Sequence, residues 1–186
     1  MPELIEETRL EGVLKVAPKV HGNDPRGFTV ETYVEGPWKE LGVDADFVQH
    51  NHSRSRENTL RGLHFQVKPG QAKLIRCARG RIVDVAVDLR RGSPTYGQWE
   101  AHELSDENHH QLYVPVGFGH GFAVLSDVAD VTYLLSSPYD HDEEKGIAWD
   151  DPDVGVEWPV AEPLLSERDQ TAPKLAEIAD KLPFEY

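Results

Sequence analysis

The sequence predicts an all-β protein, a jelly roll or small barrel of antiparallel strands with short peripheral helices. Three observations carry that reading. Short runs rich in β-branched and aromatic residues recur between turn signals roughly 8–12 residues apart, the spacing of sandwiches and barrels. Within them apolar residues alternate with a period of two. Helical periodicity is weak everywhere except WKELG (38–42) and PKLAEIADKL (173–182), where Leu175, Ile178 and Leu182 form a short stripe.

Taken in order, RGLHFQVKPGQAKLIRC (61–77) reads as two strands joined by a Pro-Gly turn, with LIRCA (74–78) the core of the second. RIVDVAVDL (81–89) alternates cleanly: Val83, Val85, Val87 and Leu89 on one face, Asp84, Ala86 and Asp88 on the other. TYGQWEAHEL (95–104), QLYVPVGFGHGFAVLS (111–126) and ADVTYLL (129–135) read as further strands. The Pro-rich stretch 149–163 contains Trp149, Val154 and Trp158 and is expected to be an ordered surface excursion. The whole chain, 1–186, is expected to form one domain.

Composition narrows the function. Charged residues make up 28% and apolar residues 39%, a globular balance, and the net charge is -14. Binding to nucleic acid or to an anionic membrane needs a basic footprint that this charge does not supply. A local Arg/Lys cluster can still accept an anionic small molecule. The single cysteine, Cys77, excludes an intrachain disulfide and sits mid-strand as filler. The acidic start MPELIEETRLEG lacks the apolar run of a secretion signal, and no stretch approaches the roughly 20 apolar residues of a membrane span, so a cytoplasmic location is expected.

Small antiparallel barrels often hold a ligand in their interior, and several polar residues have the parity to point there. Gly62, His64 and Gln66 share one strand face; Lys73, Ile75 and Cys77 share another; His120 aligns with Phe122 and Val124, and Tyr133 with Val131 and Leu135. Each alone has an ordinary reading, a hydrogen-bonded strand histidine or a core tyrosine. Together they suit proton transfer at a carbon next to a carbonyl. Imidazole can take the proton, an ammonium can stabilise the developing enolate, and a phenol can return a proton from the opposite side. Arginines can hold phosphate as bidentate forks. A metal reading also exists, because His50-x-His52 is a possible ligand pair and PVGFGH (115–120) resembles the second motif of metal cupins. Against it, Lys73 stands in the neighbourhood where that arrangement needs a carboxylate.

RGLHFQ (61–66), QAKLIRCARGRIVDVAVDLRRGSPTYGQW (71–99), VPVGFGHGFAVLSD (114–127), DPRGF (24–28), GIAWDDP (146–152) and LSERD (165–169) together resemble the dTDP-4-dehydrorhamnose 3,5-epimerase family, collinearly from about residue 10 to about residue 175. The resemblance implies a metal-free cupin jelly roll without a cofactor, working as a homodimer that exchanges N-terminal strands. It implies epimerisation of dTDP-4-dehydro-6-deoxy-D-glucose at carbons 3 and 5 in L-rhamnose synthesis, or at a single carbon of another dTDP-4-keto sugar. By position it implies His64 as base, oriented by Asp169, Tyr133 as proton donor and Lys73 as enolate stabiliser, with Arg61 and His120 nearby. It further implies Gln49, Asn51, Arg61 and Tyr139 as sugar-nucleotide contacts, Glu144 and Arg168 as additional ones, and Arg26, Phe28 and Glu31 as residues lent to the partner's site. Where many relatives carry a lysine after the tyrosine and a pair of aromatics further on, this chain has Leu134 and Pro138.

Overall fold

The computed structural model describes the backbone of residues 1–186 and the side chains of all but residues 6, 7, 23 and 24. In chain order the elements are β1 (Glu3–Glu7), β2 (Leu14–Ala17), β3 (Lys19–Asp24), β4 (Gly27–Glu31), α1 (Glu35–Glu40), β5 (Gln49–Arg56), β6 (Leu60–Gln66), β7 (Lys73–Arg79) and β8 (Arg81–Asp88). They continue with β9 (Trp99–Ser105), β10 (Gln111–Val114), β11 (Phe118–Val124), β12 (Val128–Leu135), β13 (Glu144–Ile147), α2 (Glu167–Gln170), α3 (Leu175–Ile178) and a final turn of 3-10 helix, Ala179–Lys181. A six-stranded sheet in the order β1-β2-β10-β7-β12-β5 faces a five-stranded sheet in the order β13-β6-β11-β8-β9, and β3 and β4 form a separate two-stranded ribbon. This is the double-sheeted jelly roll that the strand spacing predicts.

The inner faces of both sheets meet in one core. Ile75, Cys77 and Leu112 come from the six-stranded sheet, and Ile82, Ala86, Phe118 and Phe122 from the five-stranded one. Two outer layers cover the barrel. Leu63, Phe65, Val85, Val87 and Leu89 on the back of the five-stranded sheet pack under Leu175, Leu182 and Phe184 of the C-terminal segment. Leu74 and Tyr113 on the back of the six-stranded sheet pack under Trp38 and Val43. The alternation in β8 therefore separates two buried faces. Its valine face lies under the C-terminal segment, and its Asp84–Ala86–Asp88 face looks into the barrel.

Four features differ from the sequence reading. β6 and β7 are not a hairpin: they lie in opposite sheets, joined by residues 67–72, because both carry polar side chains that meet across the interior rather than side by side. The strand expected from Thr95 begins at Trp99. Before it, the hydroxyls of Ser93 and Thr95 donate to the buried Asp88 carboxylate at 2.6 and 2.7 Å and hold the chain in a turn. The run 111–126 breaks into β10 and β11 at Gly117, which has φ +96, a conformation that favours glycine. α1 starts at Glu35, three residues earlier than the apolar stripe suggests. The stretch 149–163 is ordered as expected, with Val154 and Val160 buried and the Trp158 indole donating to the Trp149 carbonyl at 2.8 Å. No helix among the described residues is long and apolar enough to cross a membrane.

Ile82 and Leu89, both fully buried, sit in different layers of the same sheet. Ile82→Ala and Leu89→Ala should each lower the unfolding free energy by about 2–5 kcal/mol in urea titrations; a negligible loss for Leu89→Ala would mean that the outer layer is not part of the cooperative core.

Candidate active site

β5, β6, β7, β11 and β12 surround a cavity of about 330 Å³ at one end of the barrel, a size within the usual range for small-molecule sites. Its lining includes Gln49, Asn51, Arg61, His64, Lys73, His120, Tyr133, Tyr139 and Glu144, nine of the fourteen residues singled out in the sequence. Asp169 and Arg168 reach the same place from the C-terminal segment; with His64 and Glu144 they line a neighbouring cavity of about 500 Å³.

His64 lies on β6, opposite His120 of β11. Its Nε2 is 2.6 Å from Asp169 Oδ1, across 105 residues of chain. Burial pushes the Asp169 carboxyl upward, but hydrogen bonds from His64, Ser166 and the Gly62 backbone outweigh it and hold the group below the usual carboxylate range. An ionised carboxylate only accepts, so His64 Nε2 donates to it, and Nδ1 is the ring nitrogen outside that contact. The ring edge at Cδ2 faces Gly146 of β13, where a Cβ would come within 3.0 Å.

Lys73 of β7 is buried, and its ammonium donates to the His64 carbonyl at 3.2 Å. Burial is the main cause that lowers it to about 8, against the opposing pull of Glu144 and Asp84. At neutral pH it is therefore still mostly a cation, held where water solvates it poorly. His120 Nε2 lies 3.0 and 2.9 Å from the two carboxylate oxygens of Asp84. Burial holds His120 below the ordinary imidazole range even with Asp84 beside it, so it enters the cavity as a neutral ring.

Tyr133 of β12 packs against the inner core and lines the cavity from the six-stranded sheet. Imidazole and phenol thus stand on opposite sheets with the cavity between them. The rim is set by polar contacts. Gln49 Nε2 donates to Asn51 Oδ1 at 2.9 Å, and Gln49 Oε1 accepts from the Tyr139 backbone at 2.9 Å. Gln66 donates to Ser137 Oγ at 3.1 Å and to the Pro138 carbonyl at 3.0 Å. Arg61 Nε donates to Ser55 Oγ at 3.1 Å, and Arg168 pairs with Glu144.

Other residues singled out in the sequence lie outside this cavity. His50 and His52 point to the exposed face of β5, away from Gln49 and Asn51, and His52 pairs with Asp130 at 3.3 Å. The pair does not meet His64 or His120, and among the described residues no group of three His, Cys, Asp or Glu could hold a metal ion. Leu134 joins the outer cluster with Leu74 and Tyr113, so the departure there lies outside the cavity. Arg26, Phe28 and Glu31 belong to the β3–β4 ribbon and line none of this cavity. Phe28 is 55% exposed, with its ring centroid 4.6 Å from that of His109, and Glu31 binds His21 at 2.8 Å. Sequence reasoning passed over Asp84 and Ser166. Their signals were an aspartate in a run of valines, and a serine three residues before an aspartate, the spacing of a helix cap.

A double-sheeted barrel with a histidine–aspartate pair and a tyrosine lining one cavity suits the class of sugar-nucleotide epimerases. The family model for dTDP-4-dehydrorhamnose 3,5-epimerase matches residues 7–177; the chain belongs to this family. It is 46% identical to the dTDP-4-dehydrorhamnose 3,5-epimerase of Shigella flexneri over 92% of this chain and 95% of that one. It is 44% identical to a dTDP-4-dehydrorhamnose 3-epimerase of Streptomyces niveus over 92% and 83%. Among solved structures, the dTDP-6-deoxy-D-glucose-3,5-epimerase of Legionella pneumophila Philadelphia 1 in complex with dTDP-4-keto-L-rhamnose is 40% identical, with TM-score 0.95 over 100% of this chain and 99% of that chain. A 4-keto-6-deoxy sugar epimerase from the novobiocin gene cluster of Streptomyces spheroides is 41% identical, with TM-score 0.94 over 100% and 94%.

Lys73 also gives a thermodynamic handle. Its value in the fold is about 8 against the ordinary lysine value of 10.5, so between these values the unfolded chain binds more protons and stability rises with pH. The contribution is flat below about 8, where both states are protonated. Denaturant titrations across that window should show this upward slope in the native protein and lose it in Lys73→Met; identical slopes in the two proteins would place Lys73 in contact with water.

Proposed function

We propose that the chain converts dTDP-4-dehydro-6-deoxy-D-glucose to dTDP-4-dehydro-L-rhamnose by removing and returning protons at carbons 3 and 5, without metal or cofactor, in L-rhamnose biosynthesis. The observation that carries this is the placement of His64 and Tyr133 on opposite sheets across one cavity, with Lys73 beside them. His64 Nδ1 takes the proton from the carbon next to the keto group, and the C–H electron pair moves into the enolate. Asp169 stabilises the imidazolium that forms. Lys73 stabilises the enolate oxygen, a charge that develops only as the reaction proceeds, so it favours the transition state over the ground state. Tyr133 delivers its phenolic proton to the other face of the carbon, and the phenolate is reprotonated from water. Inversion follows from the two groups facing each other.

Arg61 and Arg168 are suited to the diphosphate, and Gln49, Asn51, His120, Tyr139 and Glu144 to the sugar and nucleoside. Arg26, Phe28 and Glu31 stand on a ribbon outside both main sheets. That placement supports their contribution to the site of a second copy in a homodimer. The chain works in the cytoplasm, where a sugar nucleotide is made and used.

The Streptomyces niveus relative is named as a 3-epimerase, which makes a single-carbon reaction the second reading. Proton NMR of the purified protein with dTDP-4-dehydro-6-deoxyglucose and a chelator in deuterated water separates the two. Exchange at both carbons is expected, exchange at carbon 3 alone would select the second reading, and loss of all exchange to the chelator would restore a metal. In the same assay His64→Ala should fold and stop exchange at both carbons. Full activity in it would remove His64 as the base.

A further inference from the structure

We infer that Ser166 is a positioning residue for this reaction: its hydroxyl aims the Asp169 carboxylate at His64, and Gly62 leaves the space for that aim. The inference rests on the reading of His64 as the base. Asp169 is the third residue of α2, and Ser166 is the residue that caps it. The Ser166 hydroxyl does two things at once. It accepts from the Asp169 backbone N–H at 3.2 Å and donates to Asp169 Oδ2 at 2.8 Å. Oδ1 is left for His64 Nε2 at 2.6 Å. An ordinary cap needs only the first of these contacts. The second joins the cap to the carboxylate of the catalytic pair, so that both oxygens are fixed and the plane of the carboxylate is set.

Gly62 closes the arrangement from the other side. Its backbone N–H donates to Asp169, and a Cβ built on it would lie 2.7 Å from Asp169 Oδ1 and 3.1 Å from its Cγ. Its φ is not in the left-handed region, so the glycine is required by this approach rather than by backbone conformation. Asp169 itself is buried, whereas Ser166 lies at the surface. Substitutions at Ser166 therefore change one donor without opening the core.

The two contacts of Ser166 can be separated. Ser166→Thr keeps cap and donor. Ser166→Asp keeps a strong cap but has no proton to give and sets a second negative charge beside Asp169. Ser166→Ala removes both. Rates, KM and the pH profile of kcat/KM with dTDP-4-dehydro-6-deoxyglucose, together with thermal unfolding, would be compared for the three. The expected result is near-native kcat for Ser166→Thr and a fall of about tenfold or more for Ser166→Ala and Ser166→Asp, with KM little changed, as for loss of a hydrogen bond to a charged group. In Ser166→Asp the added charge favours the imidazolium, so the acid limb of the profile should move to higher pH. Native kcat and an unmoved acid limb in a folded Ser166→Asp protein would overturn the inference and leave Ser166 as a cap alone. His64→Ala in parallel tests the underlying reading: if it is inactive while the Ser166 variants are native, positioning alone fails; if it is active, the base assignment fails.

Discussion

The contact between His64 and Asp169 joins the two parts of the chain whose relative placement the site depends on. His64 sits on an inner strand of the five-stranded sheet, and Asp169 on a four-residue helix in the segment that covers the back of the same sheet. For the two to meet, Asp169 must lie against β6 at Gly62, the one position of that strand without a side chain. The covering segment must also be anchored, which Leu175, Leu182 and Phe184 do by packing on Leu63, Phe65 and Leu89. The outer apolar layer is therefore part of the active site's support as well as of the fold. A strand buried on both faces, such as β8, is the sequence consequence of that double demand.

The barrel imposes a second constraint. Polar groups inside it must be satisfied or functional. Asp88 is satisfied by Arg90, Ser93 and Thr95 at one place, and Asp84 by His120 at another. Lys73 has only the His64 carbonyl among the described residues. A buried ammonium with one neutral partner is costly to keep charged, which is why its value falls; the same isolation makes it an effective partner for an oxyanion. The net charge of -14 does not conflict with an anionic substrate, because Arg61, Lys73 and Arg168 set the local field.

Much of this was legible in the sequence. Period-two alternation placed His64 with Gln66, Lys73 with Ile75 and Tyr133 with Leu135 on faces that do line the interior, because side-chain direction along a strand is fixed by parity. Sheet membership was not legible. The Pro-Gly turn suggested a hairpin for β6 and β7, and alternation carries no information on whether consecutive strands pair or face each other. The alternation in β8 did not show that its valine face is covered by the Leu175–Leu182 stripe, because that stripe lies about ninety residues further on. Asp169 came from resemblance to a family; geometry alone assigns it only when the fold brings it to His64. Leu134, which looked like a loss from the site, points to the other side of the sheet by the same parity that places Tyr133 inside.

The central claim is that proton removal and proton return come from opposite sheets. It is tested most directly by Tyr133→Phe in deuterated water with dTDP-4-dehydro-6-deoxyglucose, following label and configuration together. The account predicts that deuterium enters recovered starting sugar, because His64 still removes and returns a proton on its own face. Inverted product should fall by a factor on the order of 10²–10⁴. Inverted product forming at the native rate would contradict the account, since it would mean that the proton from the far face has another source.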